Sequence, residues 1–211
     1  MKESLIEAPK IIIGCDPSFA HLGIAVINRF HKSFRTWDIQ TELGKQDFLN
    51  VYNKSQVQVK NVQDYLKKII PGNPDYNVLE SLDTVIGMEN ALPWGFNATT
   101  LTSLDIMLLH AFSPIRTAVF NPTYLSYIMG KHTKKDSINL ATALANILEK
   151  NDYTFTEHYD KNMTDGEAEA FIYACRMLCR TCPDGPASKQ IMELQPLFKD
   201  EKEKYNDDFI Y

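Results

Sequence analysis

Nowhere in this 211-residue sequence do apolar residues run on for the ~18 positions that a membrane-spanning helix requires. The opening residues, MKESLIEAPK, have neither the apolar segment of a secretory leader nor the arginines of a transit peptide. A cytoplasmic or equivalent reducing compartment is therefore expected. Cysteines number only 4: Cys15, Cys175, Cys179 and Cys182. Cys15 sits inside an apolar run and the others are bunched, so reduced thiols are expected and not a disulfide framework. A structural zinc needs a complete tetrahedral ligand set. The three bunched cysteines have no second pair near them and only His158 upstream, which leaves packing as their role. Neither GxxxxGK[ST] nor GxGxxG occurs, so nothing argues for a nucleotide or dinucleotide cofactor. Positive charge is also in deficit. A net charge of −5 taken alone argues against a nucleic-acid partner, but a site built from carboxylates would itself contribute to that total.

What is present suits a globular protein. Hydrophobic residues make up 44% and charged residues 23%, enough for a sizeable core in one domain with a modest appendage. We place the domain at 1–182. The charged stretch 183–211, with proline and glycine at its start, reads as a C-terminal extension.

Residues 10–15 and 22–29 read as strands joined by a turn at Pro17-Ser18, and KSFRTWDIQ (32–40) as a third strand. Apolar residues at helical spacing cover 46–70, and PGNP (71–74) stops that helix. LDTVIGMEN (82–90) is a buried strand, 97–112 a helix, TAVFNP (117–122) a strand. Asn121 and Pro122 suit the cap and first position of a short helix. Thr133 caps a longer helix, KKDSINLATALANILEK, before a strand at YTFTE (153–157). The last strong helix is TDGEAEAFIYACRMLCR (164–180), where Thr164-x-x-Glu167 fits a capping box. Three antiparallel strands followed by strands alternating with helices predict a mixed α/β sheet covered on both faces.

Two apolar strands end in an acid: IIIGCD at Asp16 and VIGME at Glu89. In open α/β sheets the ligand crevice lies beyond the carboxyl ends of the strands. If these two strands are parallel neighbours, their carboxylates meet. Clustered carboxylates repel unless a cation neutralises them, and Mg²⁺ prefers such oxygen ligands. In the last helix Asp165 and Glu169 share a face, i to i+4, beside the apolar stripe Ala168, Phe171, Ile172, Cys175 and Leu178. Glu167 reads as the capping-box partner.

At these residues the chain resembles the RuvC-type Holliday junction resolvases of the RNase H-like superfamily. IIIGCDPSFAHLGIAVIN is similar to that family's strand–Asp–Pro-Gly–strand opening, with Ser18 in the glycine's place. LDTVIGMEN resembles its second motif, NPTYLSYIMGKHTKKDSINLATAL its basic loop before a helix, and EAEAFIYACRML its closing motif, with Glu169 where the family has Asp. The resemblance covers roughly residues 10–180. It implies an RNase H-like sheet and Mg²⁺-dependent hydrolysis of DNA phosphodiesters, with Mn²⁺ substituting. It also implies a homodimer bound to a four-way junction in DNA recombination and repair. Two ions about 4 Å apart would clamp the entering and leaving oxygens. Asp16 would bridge them, with Glu89 and the last-helix acids holding one each. The further ligand is Asp165, with Asn162 and Glu167 as alternatives.

Phosphate contacts fall to MGKHTKK (129–135), which gathers Lys131, His132, Lys134 and Lys135 beside the proposed site. Lys134 or Lys135 would also stabilise transition-state charge. Lys54, Lys60, Lys67 and Lys68 read as a solvated helix face. Trp94 and Phe96 flank a glycine after Glu89, placed to stack on unpaired bases or to close the core. His21 reads as a surface turn residue and His110 as a core residue of an apolar helix. Leu101, Leu104, Met107, Leu108 and Phe112 exceed what one helix face needs, which suggests a dimer interface. Other functions on such a fold are nucleases for other branched DNA or for RNA/DNA hybrids, a sugar-kinase-like ATP-binding domain, and a non-catalytic DNA-structure binder.

Overall fold

The structure, a computed structural model, describes residues 8–18, 21–40, 52–53, 56–57, 60, 64, 83–89, 98–112, 115–121, 123–156 and 163–199. The strands are β1 (Ile11–Pro17), β2 (His21–Asn28), β3 (Ser33–Gln40), β4 (Thr84–Glu89), β5 (Arg116–Phe120) and β6 (Thr154–Phe155). Among the described residues they form one sheet in the order β5-β4-β1-β2-β3-β6. β1–β2 and β2–β3 pair antiparallel, while β1–β4, β4–β5 and β3–β6 pair parallel. The helices are α1 (Ala98–Phe112), α2 (Tyr124–Met129), α3 (Lys134–Lys150), α4 (Asp165–Thr181) and α5 (Pro186–Leu194), followed by a 3₁₀ turn at Pro196–Lys199. Isolated helical positions at 52–53, 56–57, 60 and 64 fall within the helix expected over 46–70, and all are exposed, Lys60 included.

β1 is apolar on both faces because both faces are covered. Ile13, Cys15, Ile24, Ile86 and Met88 pack with Leu104, Leu108 and Phe112 of α1. Ile12, Ala25, Ile27, Phe34 and Val85 pack beneath α4 on the other side, in a core that also includes α3 and α5. α4 is buried on nearly every side from Ala168 to Cys179, sandwiched between the sheet and those helices.

Two glycines set the height of α4. A β-carbon at Gly14 of β1 would lie 1.8 Å from the Ala170 carbonyl oxygen, and one at Gly23 of β2 would lie 2.1 Å from that of Gly166. Only a residue with no side chain admits the helix backbone so close to the strands. Because the pleat alternates, residue 16 faces the same side as Gly14, and residues 38 and 89 the same side as Phe34 and Val85. The ends of β1, β3 and β4 therefore aim their acids toward the first turns of α4.

Several details differ from expectation. The short helix α2 starts at Tyr124 with Thr123 as its cap, and the Asn121 side-chain oxygen instead accepts from the Thr123 N–H at 3.0 Å. This Asx turn uses Asn121 before the helix begins. His110 is exposed, not a core residue, because Leu104, Leu108 and Phe112 define the buried stripe of α1 and His110 falls off it. Those three leucine and phenylalanine side chains are taken up inside the chain, whereas Ile106 is 60% exposed on the outer face. Residues 186–199, read as part of an extension, place Ala187, Ile191 and Phe198 in the main core. The Arg176 guanidinium donates to the Phe198 carbonyl, and Gln195 Nε2 donates to the Ile128 carbonyl at 3.1 Å.

Candidate metal centre

Asp16 at the end of β1, Glu89 at the end of β4 and Glu169 on α4 each bring a carboxylate oxygen within 4.8 Å of the others. The parallel pairing of β1 and β4 sets Cys15 beside Met88, so the next residues, Asp16 and Glu89, emerge side by side. The Thr164–Glu167 capping box starts α4 just before the third carboxylate: Glu167 N donates to Thr164 Oγ1 at 3.2 Å and Thr164 N to Glu167 Oε2 at 2.8 Å. That reciprocal cap commits the Glu167 carboxylate away from the cluster.

The electrostatics are those of anions forced together. Asp16 is pushed up to about 7 by burial first, then by the charges of Glu169, Asp165 and Asp38, against a hydrogen bond with Glu89 that favours its ionised form. Glu89 is driven well above the usual carboxylate range by burial and by Asp16. Burial also raises Glu169, while Ser137 Oγ, donating to Glu169 Oε1 at 3.2 Å, favours its charge. Near neutral pH the cluster must therefore hold a proton or a cation. Its donors are all hard oxygens, which fit a divalent ion of the Mg²⁺ type.

Asp165 stands apart from the three. Lys134 Nζ bonds its Oδ2, and that bond holds the Asp165 carboxyl below its ordinary value. Lys134 is raised in turn by the same bond. Both line a cleft of about 270 Å³ on the β3 side of Asp16, together with Ser18, His21 and Asp38. The basic loop does lie beside the site. Lys131 and Lys135 are exposed, and His132, whose Nδ1 sits 3.0 Å from the Gly130 carbonyl, is near enough to favour the Glu169 charge. Trp94, Phe96, Asn162 and His158 lie outside the described residues. The four cysteines are reduced and buried, consistent with packing.

Three neighbours of the site are not singled out by the sequence. Ser137 is fully buried on α3 and bonds Glu169. Tyr173, one turn beyond Glu169 and fully buried, faces Glu89 and favours that carboxylate's charged form. Asp38 on β3 stands in register with Gly23 of β2, which is itself in register with Asp16. Its signal was available: an acid sits on the face of β3 that otherwise carries Phe34 and Thr36 inward.

Sheet order and helix placement give the chain an RNase H-like α/β fold. No family model and no curated protein matches the chain. Among solved structures it is similar to Thermus thermophilus RuvC in complex with a Holliday junction substrate, at 15% identity and a TM-score of 0.50, covering 82% of this chain and 96% of that one. A second structure of Thermus thermophilus RuvC matches at 14% identity and a TM-score of 0.48, covering 81% and 95%. No helix among the described residues is long and apolar enough to cross a membrane.

Proposed function

We propose that this protein is a Mg²⁺-dependent endonuclease that hydrolyses DNA phosphodiesters at four-way junctions. The observation that carries the reading is the convergence of Asp16, Glu89 and Glu169 from two strand ends and a helix. Asp16, Glu89, Glu169 and Asp165 would hold two ions per site, with Mn²⁺ able to substitute. Bound there, the ions would supply acidification of water and neutralisation of phosphate charge.

The chain's own residues do the rest. Ser137 orients Glu169 through its hydroxyl, and Tyr173 favours the charge of Glu89. Lys134 screens Asp165 and presents an exposed cation to the approaching backbone, with Lys131, His132 and Lys135 extending the phosphate-binding edge. Lys134 or Lys135 stabilises charge as the phosphorus centre reacts. The protein supplies no covalent nucleophile. Trp94 and Phe96 would stack on bases unpaired at the branch. Paired nicks call for a homodimer, and the outer face of α1, where Ile106 is 60% exposed, is the surface we assign to it. The likeness of fold to a protein solved on a Holliday junction substrate supports a branched-DNA substrate.

The test is nicking of a synthetic four-way junction, a linear duplex and an RNA/DNA hybrid, each with and without Mg²⁺. Junction-selective, Mg²⁺-dependent nicking that Asp16→Asn abolishes while junction binding persists supports the reading. Selective cutting of the hybrid, or binding with no cutting by the wild type, refutes it.

A further inference from the structure

The cleft on the β3 side of Asp16 contains a pair that the carboxylate cluster does not use. Asp38 Oδ2 lies 3.3 Å from His21 Nδ1. The Asp38 side chain is only 10% exposed, and its other oxygen, Oδ1, is buried with no hydrogen-bond partner at bonding distance. An ionised carboxylate only accepts, so the imidazole nitrogen facing it carries hydrogen, and Nε2 is left to exchange protons.

The ring is also anchored at its root. Ser18 N and Ser18 Oγ both donate to the His21 carbonyl at 2.9 Å, and His21 N donates to Ser18 Oγ at 3.1 Å. These bonds tie the His21 backbone to Ser18, and Asp38 fixes Nδ1. More than half of the side chain, 54%, remains open, in the cleft shared with Asp16, Asp165 and Lys134. A histidine serving only as a surface turn residue would need neither a buried carboxylate nor this double anchoring.

We infer that His21 is the proton donor to the leaving oxygen of the scissile phosphodiester, and that Asp38 is the positioning residue that fixes its tautomer. This rests on the nuclease reading above. An in-line displacement puts the entering and leaving oxygens on opposite sides of phosphorus. Glu89 and Glu169 crowd one flank of Asp16, and the dyad stands on the other, because Asp16 pairs with Gly23 and Gly23 with Asp38. The water oxygen forms the new P–O bond and its proton leaves to solvent on the flank opposite the dyad. The P–O bond to the leaving group breaks with its electron pair on that oxygen, which takes the Nε2 proton of the doubly protonated ring. The ring is left neutral with Nδ1–H on Asp38, and solvent returns its proton. The charged groups that face it are Asp38 from β3, Asp165 from α4, Lys134 from α3 and Asp16 from β1.

The experiment compares single-turnover cleavage of a junction carrying the normal bridging oxygen with one carrying sulfur at that bridge, a leaving group that departs without a proton. His21→Gln is expected to slow the oxygen substrate by about 100-fold and the sulfur substrate by less than about threefold. Asp38→Asn is expected to slow the oxygen substrate by about tenfold. In ¹⁵N spectra of the resting protein the same variant should shift His21 from the Nδ1–H toward the Nε2–H tautomer. Equal slowing on both substrates, no slowing on the oxygen substrate, or an unmoved tautomer overturns the role of the dyad and leaves the nuclease reading standing. A wild type that cuts no branched DNA in Mg²⁺ overturns both.

Discussion

Gly14 of β1 and Ala170 of α4 approach so closely that a β-carbon on the glycine would sit 1.8 Å from the alanine carbonyl oxygen. The contact is backbone against backbone, so no side chain can swing aside to relieve it. It lies two residues before Asp16 and one residue after Glu169, and therefore sets how closely those two carboxylates meet.

Gly14→Ala is accordingly expected to destabilise the fold by about 3 kcal/mol, at or above the upper end of ordinary overpacking. Urea denaturation measures it. Any folded fraction should bind Mg²⁺ more weakly, because α4 must lift. A midpoint unchanged within error would mean that the helix does not seat on the strand as described.

Asp16→Asn should stabilise the metal-free protein while abolishing cleavage. The sign follows from linkage. Asp16 is raised from its ordinary 3.8 to about 7 in the folded chain, and Glu89 and Glu169 are raised with it. Between those two values the folded protein binds more protons than the unfolded chain, so stability falls as pH rises from about 4 to about 7. At pH 7.5 in chelator the variant should therefore exceed the wild type by about 2–4 kcal/mol. The two should converge toward pH 4. Thermal melts across that range, with and without Mg²⁺, check it. Mg²⁺ should raise the wild-type Tm more at pH 7.5 than at pH 5.5, because protons compete for the same oxygens.

Lys134→Gln removes the cation that bonds Asp165. Junction affinity should fall uniformly across sequences, and the slope of log affinity against log salt should become shallower by about one unit, as expected for one lost phosphate contact. Asp165, without that bond, should titrate at a higher pH than in the wild type. An unchanged salt slope would show that Lys134 serves Asp165 alone.

Ser137→Ala tests the support behind Glu169. The hydroxyl is fully buried and donates to Glu169 Oε1 at 3.2 Å. Its loss should leave the fold intact and raise the Mg²⁺ concentration needed for half-maximal cleavage by about tenfold, the usual scale for a group that orients a ligand. Ser137→Thr, which keeps the hydroxyl, should recover part of the loss. A purely structural role would move stability and leave the metal dependence in place.

Much of this protein can be read directly along the chain. Unbroken apolar runs identify β1 and β4 as buried strands, and the acids that end them, Asp16 and Glu89, mark the edge where a site forms. The Thr164–Glu167 and Thr133–Asp136 boxes start α4 and α3, the second being completed by an acid three residues on. These features are local. They depend on residues a few positions apart, whose spacing the backbone periods translate into faces and ends.

Which carboxylates keep company is a tertiary decision. Asp38 joins the row of Asp16 only because β3 lies beside β2 in one register, and a slip by a single residue would turn it to the other face. Asp165 bonds Lys134 because α3 and α4 pack side by side. His110 points outward, and Ile191 and Phe198 enter the core, because helix packing and not composition chose the buried stripe. Local pattern determined the parts, and the strand order with the close seating of α4 on Gly14 and Gly23 determined the site, since charge clustering is a matter of distance in space.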